Sequence, residues 1–229
     1  MSINGYINSV TNGLVFYVDA ANSKSYVSGS TDWYDISSNN NVGTLTNGTF
    51  YSPNNSGTMV FDGTDDYVSY PNSSSLAILG DMSINCWLKV TDFNNYRGIV
   101  GKTISNKPAP FDYYLNIGTG RMAFLRGDGL TGYYSNATQA PTLGVWQNIS
   151  VTMSGDQVTH YINGVLINQE QIVSPPISVA NGGGPMYVGS RADNVTMMYG
   201  DISTLQIYNI CLSQQEILQN YNATKWRFQ

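Results

Sequence analysis

Apolar and polar residues alternate along most of this chain with the period of two that marks half-buried strands. The clearest run is Met82–Val90, which places Met82, Ile84, Cys86, Leu88 and Val90 on one face. Shorter strand-like runs fall at 14–18, 59–61, 67–70, 113–117, 122–125, 146–153, 158–162, 165–167, 186–189 and 202–208. Turn residues separate them. Asp62-Gly63-Thr64-Asp65 is one such turn, and Asn163-Gly164 lies between two strand runs. An Asn-Gly pair in that setting predicts a two-residue type I′ hairpin, because both central residues need positive φ. Roughly a dozen short strands with no amphipathic helix between them predict an antiparallel all-β sandwich, not a parallel α/β sheet. One helix is legible. Ser213-Gln214-Gln215-Glu216 forms a capping box, and Ile217, Leu218 and Tyr221 supply an apolar stripe that ends near Asn222. The expected organisation is therefore an arm over residues 1–12, a sandwich over 13–222 and a tail over 223–229.

Composition agrees with strands and turns. The chain has 229 residues, a length that sandwiches reach as one unit and that buries a core without metals or disulfides. Charged residues make up 11%, less than half of the usual share of about 25%. A net charge of −5 with scattered basic residues argues against a nucleic-acid partner, which calls for a basic stripe. Cys86 and Cys211 are the two cysteines and are expected as thiols. A single histidine, His160, and no paired cysteines exclude a zinc site. The first residues show no basic and apolar signal segment, and no apolar run has the length of a membrane span, so neither secretion by that route nor a membrane partner is expected. Asn-x-Ser/Thr triplets such as those at Asn47, Asn72, Asn136, Asn194 and Asn222 carry no weight in a chain this rich in Asn and Thr.

Catalysis on a sandwich of this kind would need two carboxylates flanking a scissile bond. The chain has only two glutamates, Glu170 and Glu216, the second committed to the helix cap, and no Glu-x-Asp-x-Glu strand. His160 has no serine or cysteine nucleophile in a recognisable local context. A non-catalytic chain is expected. Sugar recognition would use aromatic faces with amide and guanidinium groups; outside the core patterns, Tyr96, Arg97, Tyr133, Tyr134 and Arg191 are the candidates, in segments 92–98, 128–136 and 190–199. The plain alternative is that such tyrosines are ordinary loop residues. Trp33, Trp87 and Trp146 read as core or edge residues. Trp226 and Phe228, in the tail, either fold back or dock on a partner, and with the N-terminal arm they suggest assembly into a homo-oligomer or a larger particle.

Several segments taken in order resemble one family: residues 13–22, 33–41, 60–68, 83–89, Tyr161-Ile162-Asn163-Gly164 and 207–217. Together they are similar to laminin-G-like, concanavalin A-like lectin/glucanase domains over about residues 13–222, and the ending at 218–225 resembles that of virion proteins of tailed bacteriophages. The resemblance implies a two-sheet jelly-roll sandwich with a binding face or rim for surface glycans. It also implies a structural Ca²⁺, with Asp62 and Asp201 at ligand-bearing positions and Asp19 as a weaker addition; hard cations take several such oxygens. The plain alternative is that these are turn aspartates bonding local backbone. On this resemblance the expected role is a capsid decoration, head-fibre or tail-fibre component, assembled in the host cytoplasm and carried on the virion, with other capsid or tail proteins as partners. A free carbohydrate-binding lectin is the alternative, and a polysaccharide-degrading enzyme a third.

Overall fold

The computed structural model describes residues 8–94, 96–103, 111–118, 120–127, 131–172, 183–191 and 196–229. Among these, two eight-stranded antiparallel sheets pack face to face. The first sheet runs β14 (Val165–Gln171), β13 (Gln157–Ile162), β12 (Gln147–Ser154), β7 (Met82–Val90), β16 (Tyr199–Tyr208), β5 (Thr58–Asp62) and β4 (Phe50–Ser52), with β1 (Leu14–Asp19) also beside β16. The second runs β11 (Gly132–Asn136), β10 (Arg121–Gly127), β9 (Phe111–Gly118), β8 (Arg97–Thr103), β15 (Met186–Val188), β6 (Tyr67–Tyr70), β3 (Val42–Thr46) and β2 (Asp32–Tyr34). The all-β two-sheet sandwich expected from the alternation is the fold observed. No helix among the described residues is long and apolar enough to cross a membrane.

All five alternating residues of β7 are buried in the central core, opposite Tyr113, Leu115 and Ile117 of β9 and Phe124 of β10, among others. The Asn163-Gly164 hairpin forms as expected: φ is 53° at Asn163 and 76° at Gly164, and Ile162 pairs with Val165. The capping box is also present, with the Glu216 N–H donating to Ser213 Oγ at 3.3 Å and the Ser213 N–H donating to Glu216 Oε2 at 2.8 Å. Both cysteines are free thiols; Cys86 is fully buried, which pushes its pKa strongly up.

Three expectations need correction. The segments 92–98 and 128–136, which lie outside the strand runs expected from the alternation, contribute to strands: Arg97 opens β8, and residues 132–136 form β11. Glycines and buried polar residues break their alternation, which hides them from a hydrophobic pattern. The helix α1 (Gln214–Thr224) ends two residues later than predicted and continues into a 3-10 turn over Lys225–Arg227. Finally, the parts of the arm and tail that are described are built into the fold. Val10 is buried, with its N–H on Asn220 Oδ1 at 2.8 Å and its carbonyl accepting from the Tyr208 hydroxyl at 3.1 Å. Phe228 stacks on Trp87 at 4.2 Å and lies 4.9 Å from the Trp146 ring, so it is not a free assembly contact. Trp226 stays 65% exposed. Residues 1–7 of the arm lie outside the described residues. The helix and tail cover the outer face of the first sheet, which is why Ser83, Asn85 and Trp87 on the second face of β7 are buried as well. The outer face of the second sheet is where a depression opens.

Candidate functional site

The alternation that sends Tyr113, Leu115 and Ile117 of β9 into the core sends Tyr114 and Asn116 outward. On β10, Met122 and Phe124 point in, leaving Ala123 and Leu125 outside; on β11, Tyr133 points in and Tyr134 and Asn136 outward. Tyr114, Ala123 and Leu125 form a small apolar cluster of their own. It floors a depression of about 210 Å³ walled by Tyr96, Tyr134, Asn116, Asn136, Arg191 and Thr196.

Two glycines shape this depression. A Cβ on Gly98 would stand 2.6 Å from the Thr196 carbonyl oxygen and 2.8 Å from the Ser190 carbonyl carbon, so this position lets residues 190, 191 and 196 lie directly on β8. Thr196 then meets the Tyr114 hydroxyl at 2.7 Å. A Cβ on Gly118 would stand 2.4 Å from the Tyr96 ring, so the bare glycine is what lets that ring settle against β9. Tyr96 and Tyr134 remain 50% and 61% exposed. Asn116 is 4% exposed, yet its Oδ1 has no hydrogen-bond partner among the described residues. A buried acceptor left unpaired is costly, and here it lies in the wall of the depression. The lining thus combines aromatic faces, two amides, a hydroxyl and one guanidinium, with no carboxylate among its residues. Such a lining offers aromatic faces to an apolar ring face and amide donors and acceptors to hydroxyl groups.

Of the five residues expected to touch sugar, the structure brings Tyr96, Tyr134 and Arg191 together here. It sets the other two elsewhere. Tyr133 packs against the core. Arg97 is buried, with its guanidinium on Asp92 and on the Met197 carbonyl at 3.2 Å, over the Tyr199 ring. Tyr114, Asn116, Asn136 and Thr196 were missed, although the alternation around Tyr114 and Asn116 already marked them as outward residues on a strand.

The three aspartates do not assemble. Asp201 is ion-paired with Lys89 at 2.9 Å, and Asp19 with Arg227 at 2.9 Å, which leaves both with a cation already in place. Asp62 instead gathers Asp65 and Asp66, whose carboxylates lie within 4.8 Å of one another. Asp66 Oδ2 accepts from the Asp62 N–H at 2.9 Å, while Oδ1 is buried without a partner. Burial, with the charges of Asp62 and Asp65 behind it, raises the Asp66 pKa, against the pull of the Asp62 N–H. Three carboxylates with one orphaned oxygen are a donor set that fits a hard cation.

The fold also brings a serine to His160, which the local sequence does not show. Ser135 Oγ lies 2.9 Å from His160 Nε2 and 3.1 Å from Glu170 Oε2. In a serine hydrolase the histidine stands between nucleophile and carboxylate. Here the serine stands in the middle, and Ser135 and His160 are both fully buried. This trio is a structural network, not a nucleophile presented to substrate.

A sequence profile of the concanavalin A-like lectin/glucanases superfamily, in its laminin G subgroup, matches residues 62–218. Among solved structures the chain is similar to the binding domain of Paraclostridial Mosquitocidal Protein 1 (17% identity, TM-score 0.70, 92% of this chain and 52% of that chain). It is also similar to the receptor binding domain of botulinum neurotoxin type G (12% identity, TM-score 0.68, 92% of this chain and 51% of that one). A third likeness is to the sialidase of Trypanosoma rangeli in complex with the inhibitor DANA (14% identity, TM-score 0.68, 96% of this chain and 34% of that one). At these identities the likeness is one of fold, and the chain spans about half the length of the toxin domains it matches. No curated protein sequence matches the chain.

Proposed function

The chain belongs to the concanavalin A-like lectin/glucanase superfamily, and we propose that it is a non-catalytic carbohydrate-binding module whose sugar site is the depression on β9, β10 and β11. The observation that carries this reading is the orphaned Asn116 acceptor set in a wall of half-exposed tyrosines, where a ligand hydroxyl would supply the missing donor. Binding and receptor-binding domains among the structural neighbours support a binding role over a catalytic one. The test is a glycan array followed by calorimetry on the strongest hit. Tyr134→Ala is expected to weaken that hit by roughly tenfold, since an aromatic face contributes its buried apolar area and about 0.5–1.5 kcal/mol more at a favourable contact, while the melting temperature stays put because Tyr134 is 61% exposed. A blank array, or a variant that binds like the parent chain, would sink the proposal.

The setting proposed for the module is the virion of a tailed phage, as a decoration or fibre component. What supports it is the likeness of the ending at 218–225 to such proteins, together with exposed Trp226 as a point for docking on another subunit. The proposal includes a structural Ca²⁺ at Asp62, Asp65 and Asp66, supported by the unpartnered Asp66 oxygen. Adding Ca²⁺ to EDTA-treated protein is expected to raise the melting temperature by a few degrees, as ligand linkage requires. Asp65→Asn should shrink that rise, and an unchanged melting curve for the parent chain would remove the ion from the picture.

A further inference from the structure

β11 is the edge strand of the second sheet and carries Tyr134 and Asn136 of the sugar site. It pairs with β10 on one side, and its free edge faces β14, the edge strand of the first sheet. Unpaired edge groups must find partners. Side chains of β14 provide them. The Asn168 amide imitates a peptide group, accepting from the Thr138 N–H at 3.1 Å and donating to the Asn136 carbonyl at 3.0 Å. Glu170 Oε2 accepts from the Asn136 N–H at 2.5 Å. Both backbone groups of a pocket residue are therefore held by the opposite sheet. Ser135, between the two pocket residues, is held by Glu170 and His160.

The protons on this network can be assigned. A carboxylate only accepts, so the single Ser135 hydroxyl proton goes to Glu170. Ser135 must then accept from His160, which fixes the neutral imidazole with its proton on Nε2. Nδ1 is left bare, buried and without a partner. A second proton would have to enter there, in the core. Around His160, β12 sets Val151, β14 sets Asn168 and Glu170, and β11 sets Ser135. Glu170 is the one charged group among the described residues that acts on it.

We infer that this seam positions Tyr134 and Asn136 for the saccharide, and that charging His160 in acid opens it and releases the ligand. The inference rests on the carbohydrate reading of the pocket given above. Glu170, Asn168, Ser135 and His160 are positioning residues; none of them lines the depression. The imidazolium has no second acceptor, so the ring leaves its place, Ser135 loses its donor, and the edge of β11 loosens under the pocket. Burial drives the His160 pKa down to about 4, with Glu170 only partly offsetting it, which places the release well on the acid side.

His160 is the sole histidine of the chain, so its ring resonance needs no assignment mutant. NMR across the acid range should show that ring titrating near pH 4, with the backbone amides of Asn136 and Thr138 moving in the same transition. Binding of the strongest array glycan should fall over that window while tryptophan fluorescence still reports a folded chain. At neutral pH, Glu170→Ala is expected to bind roughly tenfold more weakly, and Glu170→Gln, which keeps an acceptor oxygen, recovers most of the loss. A histidine that titrates near its ordinary 6.5, amides that do not follow it, or an alanine variant that binds normally would overturn the inference. A blank array at neutral pH overturns the carbohydrate reading itself, and the resonances still decide whether the seam opens.

Discussion

Arg227→Ala should lose about 3–5 kcal/mol of folding free energy, the range for removing one partner of a buried ion pair. The guanidinium donates to Asp19 Oδ1 at 2.9 Å and to Ser203 Oγ at 2.6 Å, with a longer contact to the Gly57 carbonyl at 3.4 Å. Its side chain is 4% exposed and that of Asp19 is 12%. Removing the arginine strands a carboxylate that, among the described residues, is bound otherwise by the Ala21 N–H and the Tyr17 hydroxyl. Burial and the neighbouring Asp19 charge already press the Tyr17 pKa upward, so that phenol is a poor source of a proton to neutralise the stranded group by ionising. The paired substitution Asp19→Asn with Arg227→Met should cost less than Arg227→Ala alone, because no uncompensated charge remains. Urea unfolding of the parent chain and the two variants checks both statements. An Arg227→Ala chain within about 1 kcal/mol of the parent, the size of an exposed pair, would show that the tail is only laid on the surface.

That pair also explains why the sequence left the tail open between folding back and docking on a partner. Arg227 meets residues of β1 and β16, and Phe228 meets Trp87 and Trp146, all far away along the chain. Hydrophobic periodicity reports only on neighbours a few positions apart, so two aromatics beyond a predicted helix end look unpartnered. Where a feature is local, it was legible: the alternation of β7, the Asn163-Gly164 turn and the Ser213–Glu216 box are each decided within a few residues. β8 and β11 were not, because Gly98, Gly101 and Lys102 in one and Ser135 in the other occupy buried or close-packed positions that the fold satisfies with distant groups.

The candidate site divides along the same line. Tyr96, Tyr134 and Arg191 could be picked out as residues with no role in a core pattern, and the fold gathers them. Arg97 looked equivalent to Arg191 in the sequence; Asp92 and the Met197 carbonyl claim it instead. The aspartates divide for a related reason: Asp19 and Asp201 are paired with Arg227 and Lys89, remote in sequence, while Asp62 has its companions within its own turn.

Acid should destabilise the chain by on the order of 3 kcal/mol through His160 alone, the free-energy equivalent of a fall in pKa from 6.5 to about 4. The folded-state pKa lies below the unfolded one, so the unfolded chain binds the extra proton first as the pH drops. Stability is therefore full above about pH 6.5, declines as the pH falls toward 4, and changes no further from this group below that. Asp66 acts in the opposite sense, since a carboxylate with a raised pKa relieves its penalty as it takes up a proton. The parent curve alone thus mixes two effects, and a variant separates them. His160→Gln keeps an N–H to donate to Ser135 but has nothing to titrate there, so the Asp66 trend is common to both chains and the parent should lose on the order of 3 kcal/mol relative to the variant between about pH 6.5 and 4. Urea midpoints for both chains at neutral pH and at about pH 4 measure the difference. Parallel losses in the two chains would mean that His160 is reached by water in the folded state and that the bare Nδ1 is not sealed in the core. Divergence of the curves would instead place the acid sensitivity of the whole fold at the same seam that holds β11, and so tie the stability of the sandwich to the shape of its sugar site.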